Sequence, residues 1–109
     1  MGKKAVTEGF PFGEDVLVFK VAGKMFALVA LNELSLRINL KCDPKLAIEL
    51  REQYESVLPG YHMNKQQWNT LVLGGELSMP LVMELIDQSY DLILASLTRK
   101  KRAEFALGE

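Results

Sequence analysis

The chain has 109 residues, enough for one domain with a real core and too few for two. Its 49% hydrophobic and 25% charged residues are ordinary globular values, and no apolar run approaches the roughly 18 residues of a membrane-spanning helix. The formal net charge of −1 lacks the positive surplus of a general nucleic-acid coat, and a single cysteine, Cys42, excludes an internal disulfide. A lone cysteine fits a reducing compartment, and the opening residues are too short and too polar for a signal peptide, so the cytoplasm is the expected location.

The opening Gly9-Phe10-Pro11-Phe12-Gly13-Glu14-Asp15 is rich in chain breakers and reads as an ordered turn. Residues 16–21 form a β-branched and aromatic run, hence a strand. Ala22-Gly23 then makes a tight turn, and residues 24–31 return as a second strand, apolar enough to be central. Asn32-Glu33 is the next turn. Residues 34–41 carry the clearest alternation: Leu34, Leu36, Ile38 and Leu40 point to a core, while Ser35, Arg37, Asn39 and Lys41 point away.

Asp43-Pro44 is a helix start, with Asp as N-cap and Pro at the first helical position. That helix runs to Tyr54, with Leu46, Ala47, Leu50 and Tyr54 as its buried stripe. Leu58-Pro59-Gly60 reads as a break. Residues 68–73 form another strand, closed by Gly74-Gly75. Ser78-Met79-Pro80 opens a long helix whose Val82, Leu85, Ile86, Ser89, Ile93 and Leu97 recur at helical spacing, ending in Arg99-Lys100-Lys101-Arg102. The outline is one α+β domain over residues 1–109. A meander of three strands and a later strand or strands form an antiparallel sheet, with helices packed on one face.

The segments Phe10-Pro11-Phe12-Gly13, Val16-Leu17-Val18-Phe19-Lys20-Val21, Arg37-Ile38-Asn39-Leu40-Lys41-Cys42 and Pro59-Gly60-Tyr61-His62-Met63-Asn64-Lys65 resemble the MmcQ/YjbR family of bacterial proteins. So does Trp68-Asn69-Thr70, followed by a helix bearing Leu85-Ile86-Asp87-Gln88-Ser89-Tyr90-Asp91. The resemblance spans residues 6–97 or so. It implies a CyaY-like, frataxin-type sandwich and the description DNA-binding, and it implies no enzymatic activity. Family members carry an amphipathic helix before the Pro-Phe-Gly turn, whereas residues 1–9 here hold no helical stripe. A strip of the sheet's helix-side face is therefore expected to be under-covered, and dimerisation is one remedy.

Two clusters are candidate binding residues. Arg37, Asn39 and Lys41 make a polar, basic row, in which Arg and Lys suit phosphates and Asn suits base edges or sugar. The plainer reading is the solvated face of an antiparallel sheet. Around the second cluster, Asn64 and Lys65 extend the nucleic-acid surface, and Trp68 either stacks a base or packs as a lone tryptophan commonly does. The same region offers a rival reading, a small-ligand or protein pocket of Tyr61, His62, Trp68 and Asn69.

Chemistry beyond binding finds little support. One His and one Cys make no zinc set, so no metal and no cofactor is called for. Cys42 precedes a helix N-terminus, a place that lowers thiol pKa, but His62 is the sole base available to it. Asp87 and Asp91 at i,i+4 mark a solvated helix face. The run from Arg99 to Arg102 either reaches phosphate or complements a helix C-terminus. The expectation is a noncatalytic module with DNA, a protein or a small ligand as partner, no membrane, and a monomer or homodimer state.

Overall fold

A computed structural model describes residues 5–31, 36–60, 64 and 66–104. The strands are β1 (Val6–Gly9), β2 (Val16–Val21), β3 (Lys24–Ala30), β4 (Arg37–Lys41), β5 (Val57–Pro59) and β6 (Trp68–Val72). The helices are α1 (Pro44–Gln53), α2 (Met79–Ser96) and α3 (Arg99–Glu104). The strands form one antiparallel sheet in the order β1-β2-β3-β4-β6-β5. Both long helices lie on one face: α1 packs over β5 and β6, and α2 over β2, β3 and β4. This is the expected α+β architecture, with more strands than the sequence announced.

Local chemistry explains the elements that were expected. Ala22 and Gly23 both take positive φ, 50° and 83°, as a two-residue hairpin turn of the primed kind requires. Asp43 caps α1 by accepting the Leu46 amide at 3.3 Å, and Ser78 caps α2 by accepting the Leu81 amide at 3.3 Å. Proline sits in the first turn of each, where its missing N–H costs nothing. The core gathers Val21, Phe26, Ala27, Ile38, Leu40 and Leu71 from the sheet against Ala47 and Leu50 of α1 and Val82, Leu85, Tyr90 and Ile93 of α2.

Four features differ from the sequence reading. First, Val6–Gly9 is an edge strand on β2, where only a turn was expected from Gly9 onward. Its four residues have weak intrinsic strand character, and pairing to β2 decides their state. Neither α1 nor α2 packs on β1. Second, Val57–Pro59 is a strand although Pro59 reads as a breaker. Strand β5 lies at the sheet edge, the place where a residue without N–H is tolerated. Gly60 follows because a Cβ there would stand 2.8 Å from the Trp68 Cβ.

Third, β4 begins at Arg37, and Leu36 is 47% exposed rather than in the core. Its backbone still pairs, the Leu73 amide donating to the Leu36 carbonyl at 2.9 Å. Alternation marks a face but not how far the covering layer reaches. Residues 32–35, which hold the expected turn and Leu34, lie outside the described residues. Fourth, α2 stops at Ser96, with Leu97 extended, and the basic run forms the separate α3. Arg102 nevertheless reaches back, its guanidinium donating to the Leu94 carbonyl at 3.0 Å, so part of the run does satisfy the end of α2.

Candidate nucleic-acid interface

Strand alternation and register together sort the side chains of the sheet. Ile38, Leu40 and Leu71 join the helix-side core, so Arg37, Asn39 and Lys41 lie on the opposite face, as the sequence implied. Register places Thr70 beside Asn39 and Trp68 beside Lys41 on that face. The Thr70 hydroxyl donates to Asn39 Oδ1 at 2.5 Å, which holds the amide in place across β4 and β6. Arg37 is half-buried, and its Nε is fully covered without an acceptor among the described residues.

The same sorting adds a residue that the sequence reading passed over. Lys20 of β2 pairs with Met25 of β3 and Thr7 of β1. The three share the face of Val18 and Leu28, away from the helices. Across β1, β2 and β3 the row therefore runs Thr7, Lys20 and Met25, and beyond β3 Lys41 stands beside Trp68 across β4 and β6. Lys20 and Lys41 stand two strand spacings apart, about 10 Å. Lys41 and Arg37 are four residues apart along β4, about 13 Å. Alternation within Val16–Val21 was the available signal, but it becomes informative only once β2 has a known core side.

The face is not evenly open. Trp68 is 8% exposed, so the packed alternative holds for this indole in the present conformation. Val18 is 1% exposed and forms part of a cleft of about 280 Å³. Phe10 and Pro11, from the turn after β1, wall that cleft, and Thr7, Glu8, Gly9 and Lys20 complete it. Phe10 itself is 51% exposed.

The second cluster is broken up by the strand it sits on. Asn69 belongs to the helix side: it is 2% exposed, and its Nδ2 donates to the Ala47 carbonyl of α1 at 3.2 Å. It therefore shares no pocket with Trp68, its neighbour in sequence, because successive strand residues point to opposite faces. Asn64 is exposed but locally employed. Its Oδ1 accepts the Gln66 amide at 2.9 Å, and its carbonyl accepts the Trp68 amide at 2.9 Å. Tyr61, His62 and Lys65 lie outside the described residues.

Cys42 corrects a further expectation. It is 6% exposed, and its thiol is pushed up from 9.0 to about 11, first by burial and then by the negative charge of Asp43. The Arg51 charge and the Asp43 backbone amide pull the other way without prevailing. A helix start does not activate this sulfur because Pro44 supplies no N–H and the Asp43 carboxylate occupies the cap. Iodoacetamide at pH 8 is expected to modify Cys42 far more slowly than a free thiol, at a rate that rises with denaturant. A folded-state thiol pKa above the unfolded value also means that stability falls as pH climbs from 9 toward 11. Modification as fast as that of free cysteine would show the thiol to be open.

No group of three or more His, Cys, Asp or Glu is placed to hold a metal ion among the described residues. No helix of the described residues is long and apolar enough to cross a membrane.

The model of the YjbR family matches residues 1–92. The chain belongs to the YjbR family. Among relatives, this YjbR-family chain is 38% identical over 99 residues to YbdF of Escherichia coli O157:H7, covering 91% of this chain and 81% of the relative. It is 37% identical over 83 residues to YjbR of Escherichia coli K12, covering 76% and 70% respectively. The crystal structure of Deinococcus radiodurans protein DR2400, a DUF419 domain, superposes with a TM-score of 0.89 at 37% identity, covering 96% of this chain and 80% of that one. A Pseudomonas syringae protein of known structure aligns with a TM-score of 0.70 at 30% identity, covering 80% and 86%.

Proposed function

We propose that this YjbR-family chain is a noncatalytic nucleic-acid-binding module that uses the sheet face opposite the helices. The observation that supports it is that the ionisable strand residues of this face are all of one sign. On that face the ionisable strand residues are Lys20, Arg37 and Lys41, all cationic. The helix layer is mixed instead: α2 carries Glu84, Asp87 and Asp91, whereas α1 carries Lys45 and Arg51 beside Glu49 and Glu52, and α3 is basic. The net charge of −1 is a sum over the whole chain, and phosphate responds to the local charge of this face. Arg37 adds a forked guanidinium donor, and Asn39 adds an amide held by Thr70.

Titration of labelled oligonucleotides by fluorescence anisotropy tests this. Binding should weaken steeply with salt. Arg37→Ala with Lys41→Ala should reduce the log–log salt slope by about 1.4–1.8, from roughly 0.7–0.9 per lost phosphate contact. An unchanged slope in the double variant removes these residues from the interface.

A further inference from the structure

Resting on that reading, we infer that the face takes single-stranded rather than duplex nucleic acid, with one unstacked base against Phe10 and its phosphate at Lys20. Lys20 and Phe10 line the same cleft of about 280 Å³, Lys20 from the sheet and Phe10 from the turn that stands over it. Phe10 is 51% exposed, so its ring is open to a ligand, as is that of Phe12 at 63% in the same turn, but Phe10 is the one that borders the cleft. The Lys20 side chain makes no hydrogen bond or ion pair with another described residue. Thr7, its partner in register, adds a hydroxyl on the same face, and Val18 supplies an apolar floor. Glu8 also borders the cleft, but register pairs it with Phe19, on the helix side of the sheet. An exposed ring beside a cation is the arrangement by which proteins hold unpaired bases, one stacking contact per base and one charge per phosphate.

The ground between the cations argues the same way. Met25 and Leu28 of β3 lie between Lys20 and the β4 row, and both are half-buried and apolar. A duplex hides its base faces in the stack and offers a charged backbone, which would leave this floor unmatched. A single strand can lay bases on the apolar floor while its phosphates meet Lys20, Lys41 and Arg37. Trp68 is covered, so the exposed aromatic ring that borders the cleft is Phe10, at the opposite edge from the one the sequence favoured.

The test compares a labelled single-stranded DNA with its own duplex by anisotropy over a salt series, for the wild type and two separate variants. The single strand should bind at least about five-fold more tightly than the duplex. Phe10→Ala should weaken single-strand binding about ten-fold with the salt slope unchanged, because a stacking contact releases no counterion. Lys20→Ala should lower the slope by about 0.7. Both residues are on the surface side of the cleft, and thermal melts of the variants confirm folding. Duplex binding equal to or tighter than single-strand binding overturns this inference and leaves the nucleic-acid reading standing. Single-strand preference that survives Phe10→Ala and Lys20→Ala unchanged overturns the placement of the base. No binding of either form at low salt removes both readings together.

Discussion

Replacing Phe26 with alanine is expected to destabilise the fold by about 3–5 kcal/mol, the range for truncating a buried aromatic. Phe26 has no exposed surface and is the largest of the fully buried side chains. Its ring meets Tyr90 of α2 edge-on, with centroids 5.5 Å apart and planes at 85°, and Phe19 of β2 at 6.4 Å and 51°. It thus joins the long helix to the sheet. The void left by alanine cannot close easily, because β3 is fixed on both sides by β2 and β4. Against a total stability of roughly 5–15 kcal/mol, the loss takes a large share. Urea titration should show the midpoint falling sharply with the slope kept. A loss below about 1.5 kcal/mol would mean that α2 settles into the space and that the site is less rigid than its packing implies.

Ser89→Ala is the second large effect, and it is a polar one. Strand β3 carries a bulge: Phe19 faces Ala27 and Lys20 faces Met25, so Phe26 has no partner in β2. On its other side Phe26 lies next to Lys41, one step beyond the Ala27–Leu40 pair. The Ser89 hydroxyl of α2 bridges that point. It donates to the Phe26 carbonyl at 2.6 Å and accepts the Lys41 amide at 2.9 Å, and Ser89 has no exposed surface. Alanine would strand both backbone groups. At roughly 1–3 kcal/mol for the buried Phe26 carbonyl and about 1 kcal/mol for the part-buried Lys41 amide, the expected loss is about 2–4 kcal/mol. In a domain of this size that lowers the melting temperature by roughly 8–25 °C. A shift of only a few degrees would show that the amide and carbonyl close on each other once the hydroxyl is gone. The same bridge holds Lys41 on the face proposed to bind nucleic acid, so on that proposal Ser89→Ala should also weaken oligonucleotide binding in proportion to local fraying of β4.

The residues that govern these two outcomes differ in how visible they are in the chain. Phe26 sits in an apolar run that any reading places in the core. Ser89 reads as a small residue on an apolar helical stripe, and nothing local marks it as the partner of a bulge 63 residues away. The candidate site residues divide in the same manner. Arg37, Asn39 and Lys41 are legible because β4 alternates cleanly. Asn69 was grouped with Trp68 by proximity in sequence, and the pleat sends it to α1 instead.

By itself the sequence determined the local signals: the Ala22-Gly23 hairpin, the Asp43-Pro44 and Ser78-Pro80 helix starts, the core stripes of α1 and α2, and the outward row of β4. Each depends on backbone conformation or periodicity within a few residues, where propensity and side-chain spacing suffice. Only the tertiary structure decided the edge strands β1 and β5, the stop of α2 before the basic run, the burial of Trp68 and the cleft joining Phe10 to Lys20. Those outcomes depend on which distant segment supplies hydrogen bonds or cover. A four-residue strand with a glycine, or a three-residue strand with a proline, has no stability until a neighbour completes its ladder.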